Sequence, residues 1–438
     1  MNLYRFATKF SSKLMGIAIA ATTLASLTTT AQVFAEDWYQ FRGPGGQGIS
    51  TCENVPTEWS PSENVVWEFD DPGKGWSSPV IQNDRIYLTT AVPLGEEKIT
   101  SDGKNTSSAE TAYSLRAVCL DAKTGKALWS TPVGEVPPGA KAHPKNSHAS
   151  GTPIVTEDRL YVHFGIYGTA ALDLEGNVIW SREIVFKPVH GCGGSPILYK
   201  DMLIFNCDGG DHAFVMALDK ATGEDRWKTD RSVPAELKFS FSTPLIITTD
   251  AGDTLVSAAS DAAYGYDPNT GEEKWYVHYP KKWSIVPRPV YAGGLILVCT
   301  GYVGKAELLA IRPDGSGDVT ETHVEWRDDK FVPFNPSPIV VDDMIFTVSD
   351  DGIASCRNLA DGEMIWKKRL GGNYSASPFL SEGKLYFLSE DGECTIIRAI
   401  DEFEEVAQNE IEDRTLASIV PLDGGLLLRT ASTLYRID

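Results

Sequence analysis

Residues 119–129 read CLDAKTGKALW, a short apolar run, a turn rich in polar residues, and a second run that ends in tryptophan. An Asp side chain closes a local turn and Gly accepts a positive φ, so the stretch encodes two antiparallel strands joined by a tight hairpin. The same pattern returns as ALDLEGNVIW (171–180), ALDKATGEDRW (217–227), GYDPNTGEEKW (265–275) and RNLADGEMIW (357–366). Gly and Trp keep one spacing throughout, at Gly125/Trp129, Gly176/Trp180, Gly223/Trp227, Gly271/Trp275 and Gly362/Trp366. Trp326 ends a longer version, AIRPDGSGDVTETHVEW.

A second anchor precedes each hairpin: small residues, a proline, an apolar run, a turn and another apolar run, as in WSSPVIQNDRIYLTT or GGSPILYKDMLIFNC. The prolines are Pro79, Pro153, Pro196, Pro244, Pro289, Pro338, Pro378 and, in degenerate form, Pro421. Proline is tolerated at the first residue of a strand, where a missing N–H breaks no ladder. Four strands per ~40–50 residues, with one tryptophan each, is the pattern of propeller blades. The eighth repeat ends at Asp438 after three strands, and NVVWEFD (64–70), carrying Trp67, supplies the fourth from the other end of the chain. The expectation is an all-β, eight-bladed propeller over residues 64–438, closed by pairing its two ends and so left without a free sheet edge.

These hairpins resemble the tryptophan-docking repeats of the pyrroloquinoline quinone (PQQ)-type β-propeller family, over roughly residues 64–438. That family includes quinoprotein alcohol dehydrogenases and the propeller lipoprotein of outer-membrane β-barrel assembly. The chain is more similar to exported bacterial PQQ-like repeat proteins of unassigned function, through FRGP, KNSHAS, PRP and NYSASP. A dehydrogenase would hold PQQ beside calcium at the axis. Against that, the chain has no vicinal cysteine pair and no CxxCH haem-attachment motif, so no cofactor is expected.

Arg5, Lys9 and Lys13, the apolar run LMGIAIAATTLASL and VFA ending at Ala35 have the form of a cleaved export signal over residues 1–35, which implies a periplasmic or secreted protein. Residues 36–63 form an N-terminal extension. Glu36 follows the cleavage point and Cys52 lies well downstream, so a lipid anchor is not expected. No later run approaches the ~20 apolar residues of a membrane span. The net charge of −21 becomes −24 once the three signal cations are removed. Such a balance opposes nucleic-acid binding, which requires a basic face.

In a propeller the residues before each blade's proline line the axial mouth. Here they supply Lys74, Trp76, Lys145, Asn146, His148, His190, Lys238, Phe241, Arg288, Asn335, Asn373, Tyr374 and Arg414, and no carboxylate. Turns bearing Asp84, Asp121, Asp173 and Asp219 build the opposite face. This asymmetry predicts a cationic, aromatic funnel for an anionic small molecule or glycan. Arg288, framed by two prolines, is its leading anion-binding candidate.

His148, His190, Asp208 and Asp211 are the candidate metal ligands, although no compact HxH or HExxH spacing occurs. Cys192 and Cys207 bracket the first hairpin of one repeat and are a candidate disulfide among seven cysteines. Two insertions, about 91–115 and 131–147, overhang the same face and are lid candidates. An envelope scaffold binding other proteins is the alternative function. A glycan-lyase-like enzyme, with His148 or His190 as base beside Arg288, is a further one.

Overall fold

The computed structural model describes residues 38–71, 73–101, 106–302 and 304–438. The export signal expected over residues 1–35 lies outside them. The described residues are almost entirely strand and turn, with helical character confined to the 3-10 turns Pro44–Gly46 and Gly165–Tyr167. Eight of their nine sheets contain a four-stranded antiparallel ladder, one per repeat. Repeat 1, for example, is built from Val80–Gln82, Arg85–Pro93, Tyr113–Asp121 and Ala127–Val136. In repeat 8 the strand Val65–Asp70 pairs with Thr433–Ile437, with Trp67 opposite Arg436 and Asp70 opposite Thr433.

The middle strands are apolar on both faces because they pack against sheets of neighbouring repeats. Thr169–Leu172 and Leu308–Ile311 are wholly buried, whereas the outer strand Val65–Asp70 alternates half-buried and exposed residues. The buried clusters are shared accordingly. Leu203, Phe205 and Met216 of repeat 3 pack with Ile154 and Tyr161 of repeat 2, and one cluster joins Phe379, Leu427 and Ile86 from repeats 7, 8 and 1.

Tryptophan links successive repeats. The indole Nε1 of Trp129 donates to Leu174 O in the next repeat at 2.9 Å, Trp180 to Lys220 O at 3.1 Å, Trp326 to Leu359 O at 3.0 Å, and Trp67 to Ala122 O at 3.1 Å. The conserved spacing within the hairpin has a steric cause. At Gly223, φ is +75°, and a Cβ there would lie 2.7 Å from the ring of Trp180.

Two expectations change. In repeat 8, Val420 pairs with Leu427 as Val80 pairs with Tyr87, so Ile419 occupies the proline position and Pro421 lies one residue inside the strand. The first strand is an edge strand, which tolerates a proline that cannot donate. Residues 38–60, read as an extension, instead pack across the inner strands. Ile81 N donates to Trp38 O at 3.0 Å, Val155 N to Tyr39 O at 3.0 Å, Leu380 N to Gly48 O at 2.8 Å and Gly424 N to Glu53 O at 2.9 Å. The segment therefore ties repeats 1, 2, 7 and 8 together. The two insertions also pair with one another, as a small sheet of Ile99–Ser101, Ser107–Ala109 and Lys141–Ala142.

Candidate functional site

The residue directly before the proline that leads into each innermost strand, or before Ile419 in repeat 8, is Ser78, Thr152, Ser195, Thr243, Arg288, Ser337, Ser377 or Ser418. Seven of these carry a hydroxyl, and the hydroxyls join neighbouring repeats. Ser78 N donates to Thr152 Oγ1 at 3.1 Å, Thr152 N to Ser195 Oγ at 2.9 Å and Ser195 N to Thr243 Oγ1 at 3.0 Å. On the other side, Arg288 N donates to Ser337 Oγ at 3.0 Å, Ser337 N to Ser377 Oγ at 3.0 Å and Ser377 N to Ser418 Oγ at 2.9 Å. Ser78 Oγ donates to Ser418 O at 3.1 Å. Side-chain hydroxyls thus satisfy backbone donors that no ladder reaches.

Above these hydroxyls opens a cavity of about 330 Å³. Its lining includes six of the residues singled out by sequence: Trp76, Lys145, Asn146, His190, Phe241 and Asn335. Sequence reasoning missed Phe41, Phe239, Trp283, Tyr302 and the hydroxyl residues. The Ser or Thr before six of the prolines was a signal available in the repeat; Phe41, from the N-terminal segment, had none. His143 also lines the cavity, with its ring 5.4 Å from that of His190, which in turn lies 5.2 Å from Phe239. Burial, then His190 and Lys145, lower the His143 pKa. Tyr302 stacks on Phe334 at 4.5 Å.

The other expected mouth residues lie elsewhere. Arg288 is 3% exposed, and its guanidinium donates to Phe41 O at 2.7 Å and Pro244 O at 3.2 Å. Burial lowers its pKa to about 10. A Cβ on Gly46 would overlap this guanidinium, so Arg288 holds the N-terminal segment rather than facing the mouth. Tyr374 is buried in the core beside Phe346 and Phe387. Asn373 is exposed and its carbonyl accepts from Glu390 N at 2.7 Å. The His148 ring lies between Tyr113 and Tyr167, at 5.6 and 5.8 Å, and burial lowers its pKa to about 4.

The cations do not form the expected anionic-ligand funnel, because carboxylates and carbonyls from neighbouring loops take them up. Lys145 Nζ is 2.7 Å from Glu390 Oε1, which also accepts from Ser375 Oγ at 2.6 Å. Lys74 is bonded to Glu97, which Tyr113 also contacts. Lys238 Nζ donates to Asp211 O at 3.2 Å. Arg414 donates to Pro144 O at 3.2 Å and lies 5.7 Å from the Trp76 ring centre. Asp350, its pKa raised by burial, accepts from Phe334 N at 2.6 Å and is bonded to Asn335.

The family described as outer membrane protein assembly factor BamB matches residues 57–215, 211–320 and 323–404. The chain belongs to this family. It is 24% identical over 398 residues to outer membrane protein assembly factor BamB of Burkholderia pseudomallei (strain K96243), covering 84% of this chain and 89% of that one. With the protein of the same description from Yersinia pestis it shares 19% over 392 residues, covering 88% and 83%. The crystal structure of BamB from Moraxella catarrhalis superposes with a TM-score of 0.55 at 13% identity, over 85% of this chain and 99% of that one. That likeness establishes the β-propeller fold.

Within this PQQ-type repeat fold, the residues do not fit a calcium-bound quinone. Calcium takes several oxygen ligands. Glu390 is engaged by Lys145 and Ser375, Asp350 by Asn335 and Phe334 N, and no group of three His, Cys, Asp or Glu residues is placed to hold a metal among the described residues. The candidate metal ligands are separately engaged. Asp208 lies 3.1 Å from Arg231 with both side chains buried, and Asp211 accepts from Lys187 N and His212 N, each at 2.8 Å. The Cys192–Cys207 disulfide is not formed. Cys207 packs in the core with Phe205 and Phe214, whereas the Cys192 thiol abuts the backbone of Gly165 in repeat 2. Burial raises the pKa of both thiols, which favours their protonated form.

Proposed function

We propose that the chain is an exported, closed propeller of eight blades that serves as a protein-interaction scaffold for outer membrane protein assembly. The observation that carries this reading is the family match from residue 57 to 404, together with two relatives of the same description covered over more than four-fifths of both chains. Closure is supported by contacts between the last repeat and the first. Arg429 NH1 donates to Ser77 O and Thr89 O, each at 3.0 Å, while its NH2 is 2.6 Å from Asp71 next to the N-terminal strand. A closed ring whose blades present only short edges suits a platform on which other proteins dock.

No helix among the described residues is long and apolar enough to cross a membrane. The signal-like N-terminal sequence supports export, in keeping with an assembly role at the outer membrane. Chemical cross-linking in intact cells followed by isolation of the full chain tests the scaffold. Recovery of outer-membrane β-barrel proteins or their assembly partners is expected, and recovery of neither would overturn the reading.

A further inference from the structure

The cavity above the hydroxyl ring is a site that the scaffold role does not use. Its volume of about 330 Å³ lies near the lower end of ligand pockets, which span roughly 300–1,000 Å³. Phe41, Trp76, Phe241, Trp283 and Tyr302 give it aromatic walls. Thr152, Ser195 and Thr243 are buried, and with Ser418 they line the same space.

Each of these four hydroxyls accepts one backbone N–H from the preceding repeat. A hydroxyl has one proton to donate besides its lone pairs. Among the described residues, none of the four has an acceptor for that proton. Four hydroxyl donors that face one cavity match a ligand rich in oxygen acceptors.

Charge decides the ligand class. The nearest cation, Lys145, is tied to Glu390, and Asp350 is tied to Asn335. A charged ligand would compete with one of these bonded pairs, whereas an uncharged one leaves both intact. We propose that the cavity binds a neutral saccharide. Its hydroxyl and ring oxygens would accept from Thr152, Ser195, Thr243 and Ser418, and its apolar C–H face would pack on Trp76, Phe241 or Trp283.

Calorimetry and tryptophan fluorescence of the full chain with glucose, N-acetylglucosamine, maltose and cellobiose test this, with glucuronate and glucose 6-sulfate as charged counterparts. Saturable binding of at least one neutral sugar is expected, with Kd below about 1 mM. Trp283→Ala should weaken it at least about tenfold, and Trp283→Phe should restore most of it. Near-UV circular dichroism verifies that both variants fold. The proposal is overturned by no saturable signal up to about 10 mM, by tighter binding of the charged sugars, or by unchanged affinity in folded Trp283→Ala. None of these outcomes touches the scaffold reading, which rests on protein partners.

Discussion

Arg288 illustrates how a side chain's role depends on a partner remote in sequence. Flanking prolines and a fixed planar fork made it the natural anion ligand. Its acceptor is the carbonyl of Phe41, 247 residues away, and no local pattern announces that bond. His163 carries a testable consequence of the same burial. It is 5% exposed, its Nδ1 is 2.7 Å from Thr169 Oγ1, and its ring lies 4.3 Å from that of Phe205. Desolvation lowers its pKa from 6.5 to about 4. Between those values the unfolded chain binds a proton that the native protein does not, so this group's contribution to stability falls as pH drops through the window and is constant above it. The loss amounts to about 3 kcal/mol once pH has fallen through the native value as well. In urea titrations, native protein should lose more stability than His163→Gln between about pH 7 and about pH 4.5. Equal losses would show that His163 is not held neutral.

At the scale of elements, the hairpins were legible because their causes are local. A turn needs Asp and a glycine at positive φ, and the tryptophan four residues on sits in the following strand. What the spacing could not tell was why the glycine is fixed: the ring that excludes a Cβ belongs to the previous repeat. Gly223→Ala should therefore destabilise the protein by about 1–3 kcal/mol, from positive φ and the contact with Trp180 together. Thermal unfolding with Gly252→Ala as control separates the two causes, because Gly252 has φ +102° but no atom within 4 Å of its Cβ position. Equal effects would remove the docking explanation. The eighth anchor was misplaced for a complementary reason. Ile419 fills the proline position, and a nearby proline drew the register onto Pro421.

For the whole molecule, the all-β propeller class and the pairing of Val65–Asp70 with Thr433–Ile437 could be anticipated because each strand had a recognisable counterpart. The charge of the mouth could not. Sorting only the segments before the prolines gave cations without carboxylates, but Glu97 and Glu390 reach the same face from loops between the second and third strands. An anion funnel thereby becomes a neutral, hydroxyl-floored cavity. The scaffold role rests on the full length of the propeller rather than on that cavity, and it predicts an effect on other proteins. The most direct test is the folded fraction of outer-membrane β-barrel proteins, measured by heat-modifiable mobility in gels, in host cells lacking this chain and in the same cells resupplied with it. A fall on deletion, reversed on resupply, is the predicted result; an unchanged folded fraction would contradict a role in outer membrane protein assembly.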